Sequence, residues 1–308
     1  LVNRLGFASF VQCYACGHQF TDPNTGVNLR YFKKKNILVS AYSDYQIPLP
    51  EICPECGNMN LLQKGFGTEK IEEVLQNIFS NHKVDRFDRD EIKNTKQLKE
   101  KLAQFQSHQI DILVGTQMLA KGHNFEKVNL VLILGIDSQL NFPDFRSVER
   151  AYQLITQVTG RAGRYSTEAK VLIQTLSKEN KIFEYVKKHS FNQFYTDELQ
   201  VRKCLELPPY SKIAVVYFSS RFRDRVVNVI NSVTSSLERV KSVNNLNIEI
   251  LGPTPTFVER KTGQYSWVFM LKTDKMTDLH LMISTFENNY KTISNVSYKI
   301  DVDPYFCM

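Results

Sequence analysis

Two short strings bear residues able to act on a phosphoryl group. The first, Gln157-Val158-Thr159-Gly160-Arg161-Ala162-Gly163-Arg164, places two arginines three residues apart where a predicted helix runs out. A guanidinium is charged at any physiological pH and offers a fork of donors, so the pair suits a phosphoryl group whose charge spreads during transfer. Glycines at 160 and 163 let the backbone approach a ligand while the arginines reach it. The plainer alternative is a surface turn with two solvated arginines. Against it stands the second string upstream, Gly115-Thr116-Gln117-Met118-Leu119-Ala120-Lys121-Gly122-His123, at a spacing that fits an arginine-finger lobe.

Cys13-x-x-Cys16-Gly17 and Cys53-x-x-Cys56-Gly57 form two matched knuckles. A tight turn closed by glycine lets thiolates at i and i+3 share one cation. Two such turns supply the four ligands of a closed tetrahedral zinc site, and with no open position the metal is expected to be structural. A redox Cys-x-x-Cys would open a helix in a thioredoxin-like pattern, and disulfides are disfavoured in the cytoplasm, where this chain is expected to work. Cys204 and Cys307 are isolated, and read as a small packed residue and a tail thiol. His18, beside the first knuckle, reads as a surface or packing histidine.

Two further groups carry weaker signals. Arg260, Lys261, Tyr265 and Trp267 surround a Thr-Gly turn and combine charge for phosphates with rings on which bases stack; solvated hairpin charges with a half-buried tryptophan explain them equally well. Gly67-Thr68-Glu69 at a helix start could present free amides to a phosphate, and ordinary capping explains it about as well.

The elements that must position these residues alternate between 65 and 176. Thr68 is placed to cap a helix with Ile71, Val74, Leu75, Ile78 and Phe79 on one face. Lys83–Phe87 reads as a short strand, and Leu98, Leu102 and Phe105 stripe a second helix. Ile110–Val114 and Leu130–Leu134 are almost wholly apolar, as befits parallel strands buried on both faces. A helix over Asp144–Val158 and a strand over Lys170–Thr175 complete another unit. The pattern predicts a RecA-like α/β lobe with a parallel sheet. Ligands gather at the carboxyl ends of such strands, where Gly115-Thr116 and Asp137 both fall.

The stretch from Phe183 to Pro209 reads as helical and turns at Pro208-Pro209, near a domain boundary. Beyond it come a strand over Lys212–Ser219, a helix over Asp224–Val240 and a strand over Ile248–Leu251. Tyr265–Lys272, Met276–Tyr290 and Val296–Val302 then repeat strand, helix, strand. The order βαββαβ predicts a smaller α+β domain of the ferredoxin-like split type, a fold that hosts many functions and identifies none.

Composition bounds the rest. The 308 residues suggest about two domains, 42% of them are hydrophobic, and the formal net charge of +7 suits a polyanion partner. The longest apolar run, Leu130–Ile136, is far short of a membrane span, and no signal peptide opens the chain, so no membrane partner is expected. The chain opens on Leu1, and contains neither a Gly-x-x-x-x-Gly-Lys-Ser/Thr phosphate loop nor the acidic magnesium-binding box that follows one. The lobe that holds ATP phosphates and Mg²⁺ is therefore expected outside it.

Together these residues resemble the primosomal replication-restart DNA helicases (primosomal protein N′), a family of superfamily two. The resemblance covers nearly the whole chain: Asn3–Ala8, both cysteine knuckles, Gly65–Glu69, Gly115–Gly122, Pro143–Arg150, Gln157–Arg164, Leu207-Pro208-Pro209, Leu251-Gly252-Pro253 and Asp301–Pro304. Generic helicases lack both a zinc insertion within the second lobe and this C-terminal domain. The resemblance implies helicase lobe two over 1–12 and 57–198, a zinc-binding insertion over 13–56, and the family's C-terminal α+β domain over 199–308. It implies a DNA-binding domain and lobe one upstream. It also implies 3′ to 5′ unwinding with ATP and Mg²⁺ at abandoned forks, on forked and single-stranded DNA, with primosome proteins and single-strand-binding protein as partners.

Carried over by position, Arg164 is expected to be the arginine finger and Arg161 a second contact to the γ-phosphate. Gln157 would couple nucleotide to DNA, with Gly160 and Asp137 beside the nucleotide. Gly115, Thr116 and Lys121 belong to the motif that touches DNA phosphates, with Thr68, Arg260, Lys261 and Trp267 as further nucleic-acid contacts.

Two departures from the family stand out. The family usually has eight cysteines holding two zinc ions, whereas residues 17–52 here contain none, and Lys33-Lys34-Lys35 with Tyr31 and Phe32 occupy the space. One zinc, held by Cys13, Cys16, Cys53 and Cys56, is expected. Gly135 stands where an acidic residue is common. Two other functions share parts of this evidence: a non-catalytic, zinc-stabilised DNA or primosome adaptor, and an RNA helicase lobe. An in-frame phosphate loop upstream of Leu1 would set aside the adaptor, and matched DNA and RNA forks would separate the two helicases.

Overall fold

The computed structural model describes residues 1–2, 6–88, 91–92, 94–120, 128–160, 169–290 and 295–305. They form two compact units. The first comprises Leu1–Asp22, Val27–Phe142 and Arg146–Phe191; the second comprises Pro23–Gly26, Pro143–Phe145 and Asn192–Met308.

In the first unit, β1 (Phe10–Cys13) rises beside its partner near residue 61. Between them lies a three-stranded antiparallel sheet of β2 (Arg30–Phe32), β3 (Ile37–Val39) and β4 (Gln46–Pro48), and β5 (Leu61–Lys64) closes the ribbon by pairing antiparallel with β1. Phe7, Ala8, Val11, Phe20, Leu29, Tyr31 and Leu38 fill the space under this sheet. An apolar core, helped by the buried Asp22 carboxylate that accepts from Ser40 and Ser43 at 2.6 Å each, occupies the cysteine-free segment.

The remainder alternates as an α/β lobe. α1 (Thr68–Ile78), β6 (Val84–Phe87), α2 (Thr95–Gln106) and β7 (Ile112–Gly115) form one unit, with β6 and β7 parallel. β8 (Leu130–Ile133), the short α3 (Asp137–Leu140), α4 (Ser147–Thr159) and β9 (Lys170–Ile173) form another, with β8 and β9 parallel. The two pairs are joined by Leu1–Val2. The amide of Val2 donates to Gly115 at 2.8 Å, the amide of Leu134 donates to Leu1 at 2.9 Å, and Val2 bridges Leu134 in parallel. The order is thus β6, β7, residues 1–2, β8, β9.

Three features differ from the sequence expectation. The helix expected over Asp144–Val158 starts at Ser147, because Pro143 and the Ser147 hydroxyl bonded to the Phe142 carbonyl hold residues 143–146 in a turn. The strand β8 is not buried on both faces, since Leu130 is 54% and Leu132 38% exposed. The helix α1 buries Thr68, Glu69 and Glu72 while leaving Val74, Ile78 and Phe79 exposed; of its apolar face, Ile71 and Leu75 pack against Val2, Val84 and Val114. Charge partners described below, rather than apolar periodicity, decide which face of α1 is covered.

After α5 (Ile182–Lys187) the backbone breaks at His189, which has φ +51°, before α6 (Phe191–Cys204). The second unit continues with β10 (Lys212–Ser220), α7 (Arg223–Val243), β11 (Ile248–Lys261), β12 (Gln264–Thr273), α8 (Met276–Asn289) and β13 (Ser297–Val302). All its strand pairs are antiparallel, in the order β11, β12, β10, β13. The apolar residues of α7 at 226, 230, 233 and 237 are buried against Phe218, Phe269, Leu279, Met282 and Phe286. Each contributes about 1.5–3 kcal/mol through the area it removes from water. No helix among the described residues is long and apolar enough to cross a membrane.

Candidate functional site

The cysteine centre is built by two copies of one turn. In the first, Gly17 donates to the Cys13 carbonyl at 3.1 Å and Cys13 donates to His18 at 2.8 Å. In the second, Gly57 donates to Cys53 at 2.9 Å and Cys53 donates to Asn58 at 2.8 Å. Both turns need a left-handed residue, and Gly17 and Gly57 supply it with φ of +75° and +72°. The β1–β5 pairing, with Cys13 opposite Leu61, brings the turns together. All four sulfurs lie within 4.8 Å of one another, with Cys13–Cys56 and Cys16–Cys53 at 3.6 Å. A tetrahedral ion with bonds near 2.3 Å holds its ligands about 3.8 Å apart, so the set fits a metal of zinc size and softness.

The electrostatics agree. The Cys16 amide, together with the Ala15 amide and neighbouring thiols, brings the Cys13 thiol down to about 7 against the opposing effect of burial. At Cys16 the His18 amide acts in the lowering direction. Hydrogen bonding to Cys56, burial, and the Cys53 and Cys13 thiols outweigh it and push the thiol up to about 12. Four crowded thiols share little negative charge until a cation supplies the balance. His18 stands aside from this set, edge-on to Phe20 at 5.1 Å between ring centres. Cys204 is exposed rather than packed, because it falls on the solvent side of the last turn of α6, and Cys307 lies outside the described residues.

The carboxyl ends of the parallel strands hold the second group. Gly115 ends β7 so close to β6 that an added Cβ would meet the Phe87 carbonyl oxygen at 2.4 Å; glycine is required there by approach. Thr116 follows, its carbonyl accepting from Leu119 at 3.0 Å. Gln117 reaches toward Gln139 at 3.4 Å, linking this loop to α3. The Asp137 carboxylate is engaged with the end of β9, accepting from the Thr175 hydroxyl at 2.7 Å and the Leu176 amide at 3.2 Å. Gln157 is exposed on the last turn of α4, and Gly160 caps it with a helical φ of −66°, so this glycine is not demanded by its backbone angle. Arg161, Arg164 and Lys121 lie outside the described residues. Gly135, the departure from the family, has φ +70°, a conformation that an acidic residue adopts only with strain.

Thr68 is corrected as a nucleic-acid contact. Its side chain is fully buried and donates to Asp88 at 2.7 Å. Two amides at the helix start are also engaged, Gly67 with the Phe7 carbonyl at 3.3 Å and Glu69 with Gly6 at 3.0 Å. Tyr31 is buried against Phe7, and Lys33 and Lys34 pair with Glu73 at 2.7 Å and Glu72 at 3.2 Å.

Sequence reasoning missed this charged cluster, in which Arg86 lies between Glu72 at 3.4 Å and Asp88 at 3.8 Å and also pairs with Glu91. Its signal was the run of charges at Asp85 and Arg86 inside a predicted strand and at Asp88 just beyond it.

A cavity of about 920 Å³ opens beside Leu75, Phe79, Phe105, Leu130 and Leu132. None of the expected site residues lines it.

In the second unit, Arg260 lies over the Tyr265 ring at 5.3 Å, directly across the hairpin closed by Thr262 and Gly263. Trp267 donates to Glu259 at 2.9 Å, and Arg223 lies over its ring at 5.6 Å while pairing with the same carboxylate at 2.7 Å. The tryptophan is thereby half-buried and partnered; at the hairpin tip Lys261 is exposed, while Arg260 is part-buried and donates to the Pro23 carbonyl at 3.3 Å.

Comparison with known proteins places both halves. Residues 63–166 match the helicase conserved C-terminal domain, and residues 203–305 match the primosomal protein N C-terminal domain. The replication restart protein PriA of Synechocystis sp. is 34% identical over 307 residues, covering 98% of this chain and 36% of the relative. That of Haemophilus influenzae is 33% identical, covering 98% and 41%, and that of Bacillus subtilis is 32% identical, covering 100% and 38%. The chain therefore spans less than half the length of these relatives. A designed protein, Foldit4, is similar only at a TM-score of 0.25 and 9% identity over 30% of the chain, too distant to bear on the fold. With a helicase C-terminal domain, a primosomal C-terminal domain and this identity across nearly all its residues, the chain belongs to the replication restart protein PriA family, to whose C-terminal part it corresponds.

Proposed function

We propose that this chain is the second motor lobe, metal module and C-terminal domain of an ATP-dependent DNA helicase that restarts replication at stalled forks. The observation that carries the reading is the position of Gly115-Thr116 at the end of β7 and of Gln157-Gly160 at the end of α4, within the same α/β lobe. The string from Gln157 to Arg164 continues directly from α4. The helicase domain match over 63–166 contains both motifs.

In this reading Arg164 is the finger and Arg161 the second γ-phosphate contact, while ATP and Mg²⁺ are held mainly by a lobe outside the chain. The nucleotide supplies the energy of phosphoryl transfer. The chain's part is to bring fixed positive charge to the interlobe cleft, to grip DNA phosphates through Thr116 and Lys121, and to shift as the arginines engage and release. Asp137 acts on the nucleotide through the loop it braces. Arg260 and Lys261 at the hairpin tip contact DNA, with Trp267 behind them.

The division is lobe two at 1–12 and 57–198, a metal insertion at 13–56 and a ferredoxin-like domain at 199–308. The strand order β11, β12, β10, β13 supports the last part. One structural Zn²⁺ belongs to the four cysteines. Forked and single-stranded DNA, primosome proteins and single-strand-binding protein are the partners, in the cytoplasm.

The test is Arg164→Ala in the full-length protein. ATP hydrolysis is expected to be lost while forked DNA is still bound, an arginine finger being worth about 10³–10⁵ in rate. Undiminished turnover would remove the assignment.

A further inference from the structure

The strand β2 of the cysteine module is bridged to the lobe at Ala8–Tyr31, where the Tyr31 amide donates to Ala8 at 3.0 Å, and the turn beyond it is held by one buried carboxylate. Glu69, only 4% exposed, accepts from the backbone amides of Lys34 at 2.8 Å and Lys33 at 3.0 Å, one on each oxygen. These amides belong to the turn between β2 and β3. Glu69 sits in the first turn of α1, where the helix end favours negative charge, and two amides on one carboxylate make charge-assisted bonds. The neighbouring ion pairs, Lys33–Glu73 and Lys34–Glu72, involve lysines about half exposed, at 48% and 60%. Water and salt screen such pairs to within about 1 kcal/mol, so the directional hold on this turn resides in Glu69. The adjacent Thr68 hooks the Asp88 carboxylate just beyond β6, beside the β7 end that carries Gly115 and Thr116.

We propose that Glu69 is a positioning residue that makes the cysteine module a rigid extension of the motor lobe, so that each displacement of the lobe on DNA is delivered to the module undiminished. The inference rests on the helicase reading above. Without the carboxylate, two backbone amides lose their acceptor, and the turn gains freedom that absorbs part of the stroke.

The experiment compares wild type and Glu69→Gln in the full-length, metal-loaded protein. Glutamine keeps the size and one acceptor oxygen but presents a donor to the second amide. In the variant the amides of Lys33 and Lys34 are expected to exchange with deuterium about tenfold faster, one charge-assisted hydrogen bond being lost. Metal content and exchange at Gly17 and Gly57 should be unchanged. Base pairs opened per ATP should fall several-fold while DNA-stimulated hydrolysis stays close to wild type, a split that a general loss of structure does not produce. Unchanged exchange at Lys33 and Lys34, or faster exchange with undiminished base pairs per ATP, would overturn the proposal. A wild type without DNA-stimulated hydrolysis would bring down the helicase reading and this inference with it. Should Glu69→Gln fail to fold, wild-type exchange decides: protection of these two turn amides equal to that of α1 is expected, and loop-like exchange would overturn the latch.

Discussion

Among individual residues, the four thiols and Arg86 have the most to lose. Cys53 is buried and shares its sulfur environment with Cys16 at 3.6 Å, so Cys53→Ser removes a soft ligand that the remaining three cannot replace. Bound zinc is expected to fall from about one ion per chain to well below that, with residues 13–56 becoming open to protease. Elemental analysis checks this, and full retention of metal would contradict it.

Arg86 holds the Glu91 carboxyl below the ordinary carboxylate range. Burial pushes Glu91 up, but the hydrogen bond and charge of Arg86, then Lys34 and Lys101, outweigh it. A lowered folded-state value means stabilisation present above the unfolded value and lost as pH falls through the folded one. The first unit should therefore weaken below about pH 4. Removing Arg86 leaves Glu72 and Asp88 facing each other without a buried cation, so Arg86→Ala should cost about 3–5 kcal/mol at neutral pH. Urea unfolding measures it, and a cost under about 1 kcal/mol would refute the network's role.

Elements were legible in the sequence where burial follows periodicity. α7 was: its apolar positions at 226, 233 and 237 all point into the core, as their helical spacing requires. Ile230→Ala there should cost about 2–5 kcal/mol, whereas Val243→Ala, at a helix end 84% exposed, should change stability by less than about 0.5 kcal/mol. Denaturant unfolding of the two variants compares them, and equal costs would contradict the burial pattern. The knuckles were legible for another reason, since a metal turn fixes both spacing and glycine position locally. α1 was not. Its polar residues are the buried ones because their partners, Lys33, Lys34, Arg86 and Asp88, come from segments far away in sequence, and no local period encodes such pairing. Thr68 was misread for the same reason: a cap-like residue at a helix start carries no mark of the distant carboxylate it meets.

For the whole molecule, the strings that carry the family resemblance are short and chemical, and their recognition did not depend on element boundaries. Gly115 ends β7 and Gly160 closes α4, so the described parts of both strings sit at the ends of elements of the lobe. On the proposed function, these ends act on a nucleotide and DNA only together with a second lobe. The most direct measurement of that requirement is ATP hydrolysis with and without forked DNA, for this chain alone and for the full-length protein. Hydrolysis confined to the full-length protein and stimulated by the fork is the predicted result. A full-length protein that stays silent with forked DNA would contradict the account and favour an adaptor.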